Sequence, residues 1–287
     1  MALPINGKTK LICLLGSPVE HSLSPAMHNS AFAALDLDYR YLAFDIKSNE
    51  LPDVIKAFRE MNVKGFNLTM PLKKEIIPLI DELSPAAELS RSVNTVTNID
   101  GHLYGDTTDG RGFLMALSKS GFSYSGKSAV ILGAGGASMS ICTEAALTGL
   151  KKLCIFKRNN SSFSDTVSFA KRLNSETNCR VIVRSFDDSD QLENEISTAD
   201  LLINATNVGM NQDISSLVPM KYLRKNLFVA DLIYSPDMTT LLKDAKSTGA
   251  LFMNGKYMLM YQGACSFKEW TGVDMPIDVI KPIFDQK

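Results

Sequence analysis

Apolar positions along the chain fall into short runs that alternate with stretches of helical spacing. Residues 11–15, 39–44 and 65–67 read as strands. Each is followed by a pattern of period near 3.6 that predicts a helix: one from about Pro25, one ending near Met61 and one after Asn67. Pro25 suits a first helical turn, with Ser24 as its N-cap. Repeated strand–helix alternation needs crossovers and hence a mainly parallel sheet. The rhythm breaks over residues 94–105, where two alternating runs flank Asp100-Gly101, a strong hairpin signal. A helix over residues 109–120 then leads into a second series of strands at 128–132, 153–156, 180–184, 201–204 and 228–231. The tail from Gly255 reads as a helix through Trp270, followed by Pro276 and a last short helix. The expectation is an α/β protein of two domains. Residues 1–108, completed by the C-terminal helices of 255–287, form a first domain with a mainly parallel sheet. Residues 109–254 form a Rossmann domain, and the active-site cleft is expected between the two.

The stretch Gly133-Ala134-Gly135-Gly136-Ala137-Ser138 sits between the apolar run of 128–132 and a helical pattern. That is the strand–turn–helix context a dinucleotide fingerprint requires. Glycine permits the tight turn and close approach of backbone N–H groups to a pyrophosphate, and the following helix presents its positive end. Ser138 closes the motif where glycine or alanine is commoner. A glycine-rich turn without a ligand is the plainer alternative for such a motif alone.

Composition narrows the partners. With 287 residues, 45% of them hydrophobic, the chain can bury a substantial core. The balance of 30 Lys+Arg against 31 Asp+Glu gives nothing global to attract nucleic acid or anionic lipid. No apolar run reaches the length of a membrane span, and residues 1–7 lack a secretory pattern, so a cytoplasmic location is expected. The five cysteines have no C-x-x-C spacing and an odd count, which fits reduced thiols, and the three histidines show no metal spacing, so no metal is expected.

Polar clusters at turns and strand ends carry the remaining chemistry. They are Ser22-Leu23-Ser24-Pro25, Asn67-Leu68-Thr69-Met70-Pro71-Leu72-Lys73, Ser92-Val93-Asn94-Thr95 and Gly105-Asp106-Thr107-Thr108-Asp109-Gly110. With Asn204-Ala205-Thr206-Asn207-Val208-Gly209-Met210 and Met258-Leu259-Met260-Tyr261-Gln262-Gly263, they closely resemble the shikimate dehydrogenase family, in order and over nearly the whole chain. The ending Trp270-Thr271-Gly272 with Pro276 is similar to its quinate/shikimate dehydrogenase branch.

The resemblance implies reversible oxidation of the C3 alcohol of shikimate to 3-dehydroshikimate, with hydride passing to a nicotinamide. It implies a Lys73–Asp109 acid–base pair, since an amine beside a carboxylate can relay a proton to the reacting oxygen and stabilise its developing charge. Ser22 and Ser24 match the hydroxyls that hold the substrate carboxylate. Asn67, Thr69, Asn94 and Gln262 match positions that bond the ring hydroxyls or the lysine, and Tyr234 matches a tyrosine at the cleft. On the cofactor side it implies Gly133, Ala134, Gly135, Gly136 and Ala137, together with Thr206, Val208, Met210 and Met258. Each residue has a plainer reading alone: Lys73 as a solvated helix-start lysine, Asp109 and Ser24 as caps, Asn67 as a satisfied strand-end amide.

Cofactor choice turns on Phe156-Lys157-Arg158-Asn159-Asn160. An acid about 20 residues past the glycines would bind a ribose 2′-OH and repel a phosphate, and that acid is missing. Lys157 and Arg158 can meet a 2′-phosphate and Asn160 a 2′-OH, so NADP or NAD is implied, with NADP favoured. Two residues depart from the family pattern: Thr107 replaces an asparagine before Asp109, and Tyr257 replaces a glycine. Two alternatives stay in view: a dual-specificity quinate/shikimate dehydrogenase, from the Trp270-Thr271-Gly272 ending, and a low-activity dinucleotide- or metabolite-binding relative, from these departures. Partners are otherwise a small-molecule substrate, shikimate or quinate, with no nucleic acid and no membrane; a homodimer is left open.

Overall fold

The computed structural model describes residues 3–285, so the outermost residues of the expected first domain, 1, 2, 286 and 287, lie outside it. The chain divides into two compact units, Met1–Gly112 with Met260–Lys287, and Phe113–Leu259.

The first unit contains strands β1 (Lys10–Gly16), β2 (Tyr39–Asp45), β3 (Gly65–Leu68), β4 (Glu82–Leu83), β5 (Thr95–Ile99) and β6 (His102–Asp106). Its helices are α1 (Ser24–Ala34), α2 (Leu51–Glu60), α3 (Pro85–Ser90), the start of α4 (Asp109–Lys119), most of α9 (Lys256–Thr271) and α10 (Ile277–Asp285). The sheet order is β2-β1-β3-β5-β6-β4. β1 pairs in parallel with β2 and β3, while β5 is antiparallel to β3 and β6. The β5–β6 hairpin turns at Asp100 and Gly101, both at positive φ (53° and 86°), as a type I′ turn requires. Every residue of β3 is buried, the pattern of a strand covered on both faces.

Two expectations need correction. No helix follows Asn67: residues 70–76 form consecutive turns and Ile77–Leu79 a short 3₁₀ helix. The helical spacing of Leu72 and Ile76 is real and both are fully buried, but Pro71 and Pro78 lack the N–H groups a longer helix needs. Lys73 is therefore on a turn, where its carbonyl accepts from Val93 N–H at 2.8 Å. Ser24 is the first residue of α1, not its cap; Leu23 occupies the cap position without a side-chain bond.

α9 is anchored onto this sheet by shape. A Cβ on Gly65 would lie 2.4 Å from Trp270 Nε1, and that indole donates to the Val96 carbonyl at 3.0 Å. His28 lies in the same aromatic core, 4.4 Å between its ring centroid and that of Tyr41, and burial lowers its pKa to about 3, so it packs as a neutral ring.

The second unit holds β7 (Ser128–Leu132), α5 (Gly136–Leu147), β8 (Lys152–Lys157), α6 (Phe163–Glu176), β9 (Arg180–Ser185), α7 (Ser189–Thr198), β10 (Leu201–Asn204), β11 (Phe228–Asp231), α8 (Thr240–Ser247) and β12 (Leu251–Met253). Its all-parallel sheet has the order β12-β11-β10-β7-β8-β9. This is the Rossmann order, with its switch point between β7 and β10. Val130, Phe156, Leu202 and Val229 from four adjacent strands pack in one core. Four of the five cysteines are buried and none of the five is in a disulfide; burial pushes the Cys13, Cys142 and Cys154 thiols up to about 12. Among the described residues no helix is long and apolar enough to cross a membrane.

One polar clamp joins β6, α4 and α9. Arg111 Nη2 donates to Asp106 and, at 2.5 Å, to Glu269 Oε1. Burial and the neighbouring Asp106 carboxylate push the Glu269 carboxyl from an ordinary 4.5 up to about 8, against the pull of Arg111. A raised folded-state pKa favours the protonated form, so this contribution to stability is complete below pH 4.5 and is lost as pH rises through about 8. Glu269→Gln should therefore flatten the dependence of Tm on pH across that window. Parallel Tm–pH curves for the parent and the variant would contradict the reading.

Candidate active site

The first unit gathers its polar residues around one ion pair. Lys73 Nζ lies 2.5 Å from Asp109 Oδ2, with the two side chains only 17% and 6% exposed. A shielded pair of this kind keeps its geometry only if the remaining lone pairs are bonded. Asn94 does that: its Nδ2 donates to Asp109 Oδ1 at 2.9 Å and stands 3.2 Å from Gln262 Oε1. Asn94 Oδ1 in turn accepts from Thr108 N–H at 2.7 Å and from the Thr95 hydroxyl at 3.0 Å. Asp109 opens α4, whose Gly112 lets Gln262 approach; a Cβ there would lie 2.3 Å from the Gln262 nitrogen.

The network continues inward. Asn67 Nδ2 donates to the Asn94 carbonyl at 2.9 Å and lies 3.1 Å from both Thr95 Oγ1 and Ser266 Oγ, while its Oδ1 accepts from Tyr41 OH at 2.8 Å. Burial raises the Tyr41 hydroxyl well above its usual pKa, and Ser24, which bonds it, opposes the shift. Ser22 Oγ accepts from Ser24 N–H at 3.2 Å. Of the residues named from sequence, Lys73, Asp109, Asn94, Gln262 and Asn67 are thus brought into one bonded set, with Ser24 and Ser22 reached through Tyr41. Thr69 packs its methyl where a Cβ on Gly16 would sit, 2.2 Å away, and has no side-chain role in that set. Tyr41, Thr95, Thr108 and Ser266 were missed. Thr95 and Thr108 stood inside the quoted motifs, and Ser266 lies one helical turn from Gln262, on the same face of α9.

Thr107, where the family pattern has asparagine, is buried, and its N–H donates to Asp106 Oδ1 at 2.7 Å. The turn before Asp109 is therefore closed without the asparagine. Tyr257 is the second residue of α9 and half-buried.

In the second unit, Gly133 at φ +99° admits the neighbouring loop: a Cβ there would lie 2.9 Å from the Ala205 carbonyl oxygen. Space beside Gly135, the N-cap of α5, is open. Ser138 Oγ donates back to the Gly133 carbonyl at 2.7 Å, so serine closes the turn as well as fitting it. The N–H groups of Gly136 and Ala137 thus stand at the free positive end of a 12-residue helix, a cradle suited to a pyrophosphate. Thr206 and Val208 lie on the loop after β10; the Thr206 hydroxyl donates to Asn204 Oδ1 at 2.7 Å and accepts from Val208 N–H at 3.1 Å. Met210 and Tyr234, each 38% exposed, follow β10 and β11, and Met258 is buried in α9. Lys157 Nζ donates to Asn160 Oδ1 at 3.0 Å and Ser162 Oγ at 2.7 Å, so the turn after β8 holds its lysine; Arg158 is exposed beside it.

Comparison with known proteins identifies the family. The family model for the shikimate dehydrogenase substrate binding domain matches residues 14–96, and that for the shikimate 5′-dehydrogenase C-terminal domain matches residues 257–282. The chain is 45% identical over 281 residues to the shikimate dehydrogenase (NADP(+)) of Listeria innocua, covering 97% of each. The Listeria monocytogenes shikimate 5-dehydrogenase, solved with shikimate and NAD, superposes with a TM-score of 0.94 at 44% identity over 99% of both chains. A Corynebacterium glutamicum quinate dehydrogenase solved with NAD has a TM-score of 0.87 at 27% identity, covering 96% of this chain and 98% of that one. At 45% identity over nearly its whole length to a shikimate dehydrogenase, the chain belongs to the shikimate dehydrogenase family.

Proposed function

We propose that this chain is an NAD(P)-dependent shikimate dehydrogenase that interconverts shikimate and 3-dehydroshikimate, with Lys73 and Asp109 handling the proton. The observation that carries the reading is the 2.5 Å Lys73–Asp109 contact, held by Asn94 within a chain 45% identical to a shikimate dehydrogenase. Bound nicotinamide supplies the hydride acceptor or donor. The chain's own groups do the rest. In the reducing direction Lys73 Nζ gives a proton to the oxygen that gains negative charge, and Asp109 holds the ammonium in line. In the oxidising direction the proton returns by the same route. Ser22 and Ser24 offer neutral donors to the substrate carboxylate, and Gln262 and Thr69 offer polar groups to its ring hydroxyls. The first unit takes the substrate role and the second the cofactor role, with Gly133, Gly135, Gly136 and Ala137 at the pyrophosphate and Lys157, Arg158 and Asn160 at the ribose. NADP is the favoured cofactor, because Lys157 and Arg158 stand at the end of β8 and no carboxylate occurs among residues 156–160.

The direct test is an initial-rate assay of shikimate and quinate, each with NADP and NAD. The highest kcat/KM is expected for shikimate with NADP. No turnover with any pair would remove the reading, and a preference for quinate would move the chain to the other substrate.

Lys73→Ala should lower kcat by about 10²–10⁴-fold with a much smaller change in KM, the usual span for a positioned acid–base group. An unchanged kcat would take Lys73 out of the mechanism.

Asn160→Asp would place a carboxylate beside Lys157 and at the 2′ position. kcat/KM should fall about tenfold for NADP relative to NAD. Equal responses of the two cofactors would show that this turn does not meet the 2′ group.

A further inference from the structure

The second sheet carries a buried carboxylate for which the proton chemistry above has no use. Asp231 ends β11, is fully buried and, among the described residues, faces no cation within bonding distance. Burial raises its pKa, while three donors converge on it. Asn204 Nδ2 reaches its Oδ1 at 3.0 Å, Ile233 N–H the same oxygen at 3.1 Å, and the Thr239 hydroxyl its Oδ2 at 2.7 Å. Burying a charge without a counter-ion is costly, so such a group is retained where its directionality is needed.

We infer that Asp231 is a positioning residue for cofactor binding: its carboxylate fixes the orientation of the Asn204 amide and, through it, the loop that packs on the glycine turn. This rests on the functional reading above. A carboxylate only accepts, so the NH₂ end of Asn204 must face Asp231 and its carbonyl end must face away. That carbonyl then accepts both the N–H and the hydroxyl of Thr206, at 3.1 and 2.7 Å, while the amide's other hydrogen goes to the Val208 carbonyl at 3.2 Å. With Thr206 fixed, its methyl lies 3.0 Å from where a Cβ on Gly133 would stand. The same carboxylate pins the backbone just before Tyr234 through Ile233. Turning the Asn204 amide over would set donor against donor at Thr206 and release the loop.

Binding of NADPH and of NADH to the parent, Asp231→Ala and Asp231→Asn can be followed by nucleotide fluorescence in the absence of shikimate, with initial rates measured alongside. Asp231→Ala leaves Asn204 free to turn. Kd and cofactor KM should rise about tenfold or more, as expected for losing more than one bond. kcat at saturating cofactor should stay within about threefold, because the proton-transfer pair is untouched. Asp231→Asn keeps the shape and can still turn an oxygen toward Asn204, so Kd should rise by a smaller factor of about three. If the alanine variant does not fold, the asparagine variant decides on the same quantity. Loss of kcat with unchanged Kd and KM is what a smaller folded fraction gives, and it would overturn the inference, as would variants that bind like the parent. A parent that binds neither NADPH nor NADH removes the functional reading itself.

Discussion

Shielding an ion pair from water costs more than its attraction returns unless every remaining polar atom is satisfied. The Lys73–Asp109 contact imposes that demand on the first unit, and the surrounding structure can be understood as meeting it. Asn94 takes the free oxygen of Asp109, and Thr95 and Thr108 fix Asn94. Ser266 and Asn67 close the hydroxyl layer beneath, at 2.7 Å and 3.1 Å from Thr95. The donors come from β3, the residue before β5, the start of α4 and α9, so the fold must bring strand ends and two helices to one point. Close approach is possible because Gly65 and Gly112 present no side chain where Trp270 and Gln262 arrive. Lys73 and Asp109 are thus held in place by the fold itself, which is the condition under which electrostatic stabilisation contributes most.

The second unit solves a similar problem with a single charge. Its parallel sheet sends strand ends to one edge, where β7, β10 and β11 stand in register at Leu132, Asn204 and Asp231. Glycine 133 gives the loop after β10 room to approach, and a buried carboxylate gives that loop its polarity.

Much of this was legible in the sequence, for physical reasons that also mark the limits. β10 and β11 fall on residues 201–204 and 228–231 as expected, because strands covered on both faces read as unbroken apolar runs. The Asp100-Gly101 turn was visible because few residues tolerate two successive positive φ values. The segment after Asn67 misled because buried Leu72 and Ile76 keep helical spacing over a backbone that Pro71 and Pro78 interrupt. One partner of Asn67 was invisible for a different reason: Ser266 lies 199 positions away, and no local pattern encodes a bond of that span. Asp231 looked like an ordinary strand end until its three donors were in place.

The account stands on Lys73 and Asp109 acting as one unit, and a double-mutant cycle tests this most directly. kcat would be measured for Lys73→Ala, Asp109→Asn and the double variant under saturating substrate and cofactor. If the pair is one device, the second substitution has little left to remove, and the double variant should be about as slow as the slower single one. Losses that multiply in full would show two independent groups and contradict the account.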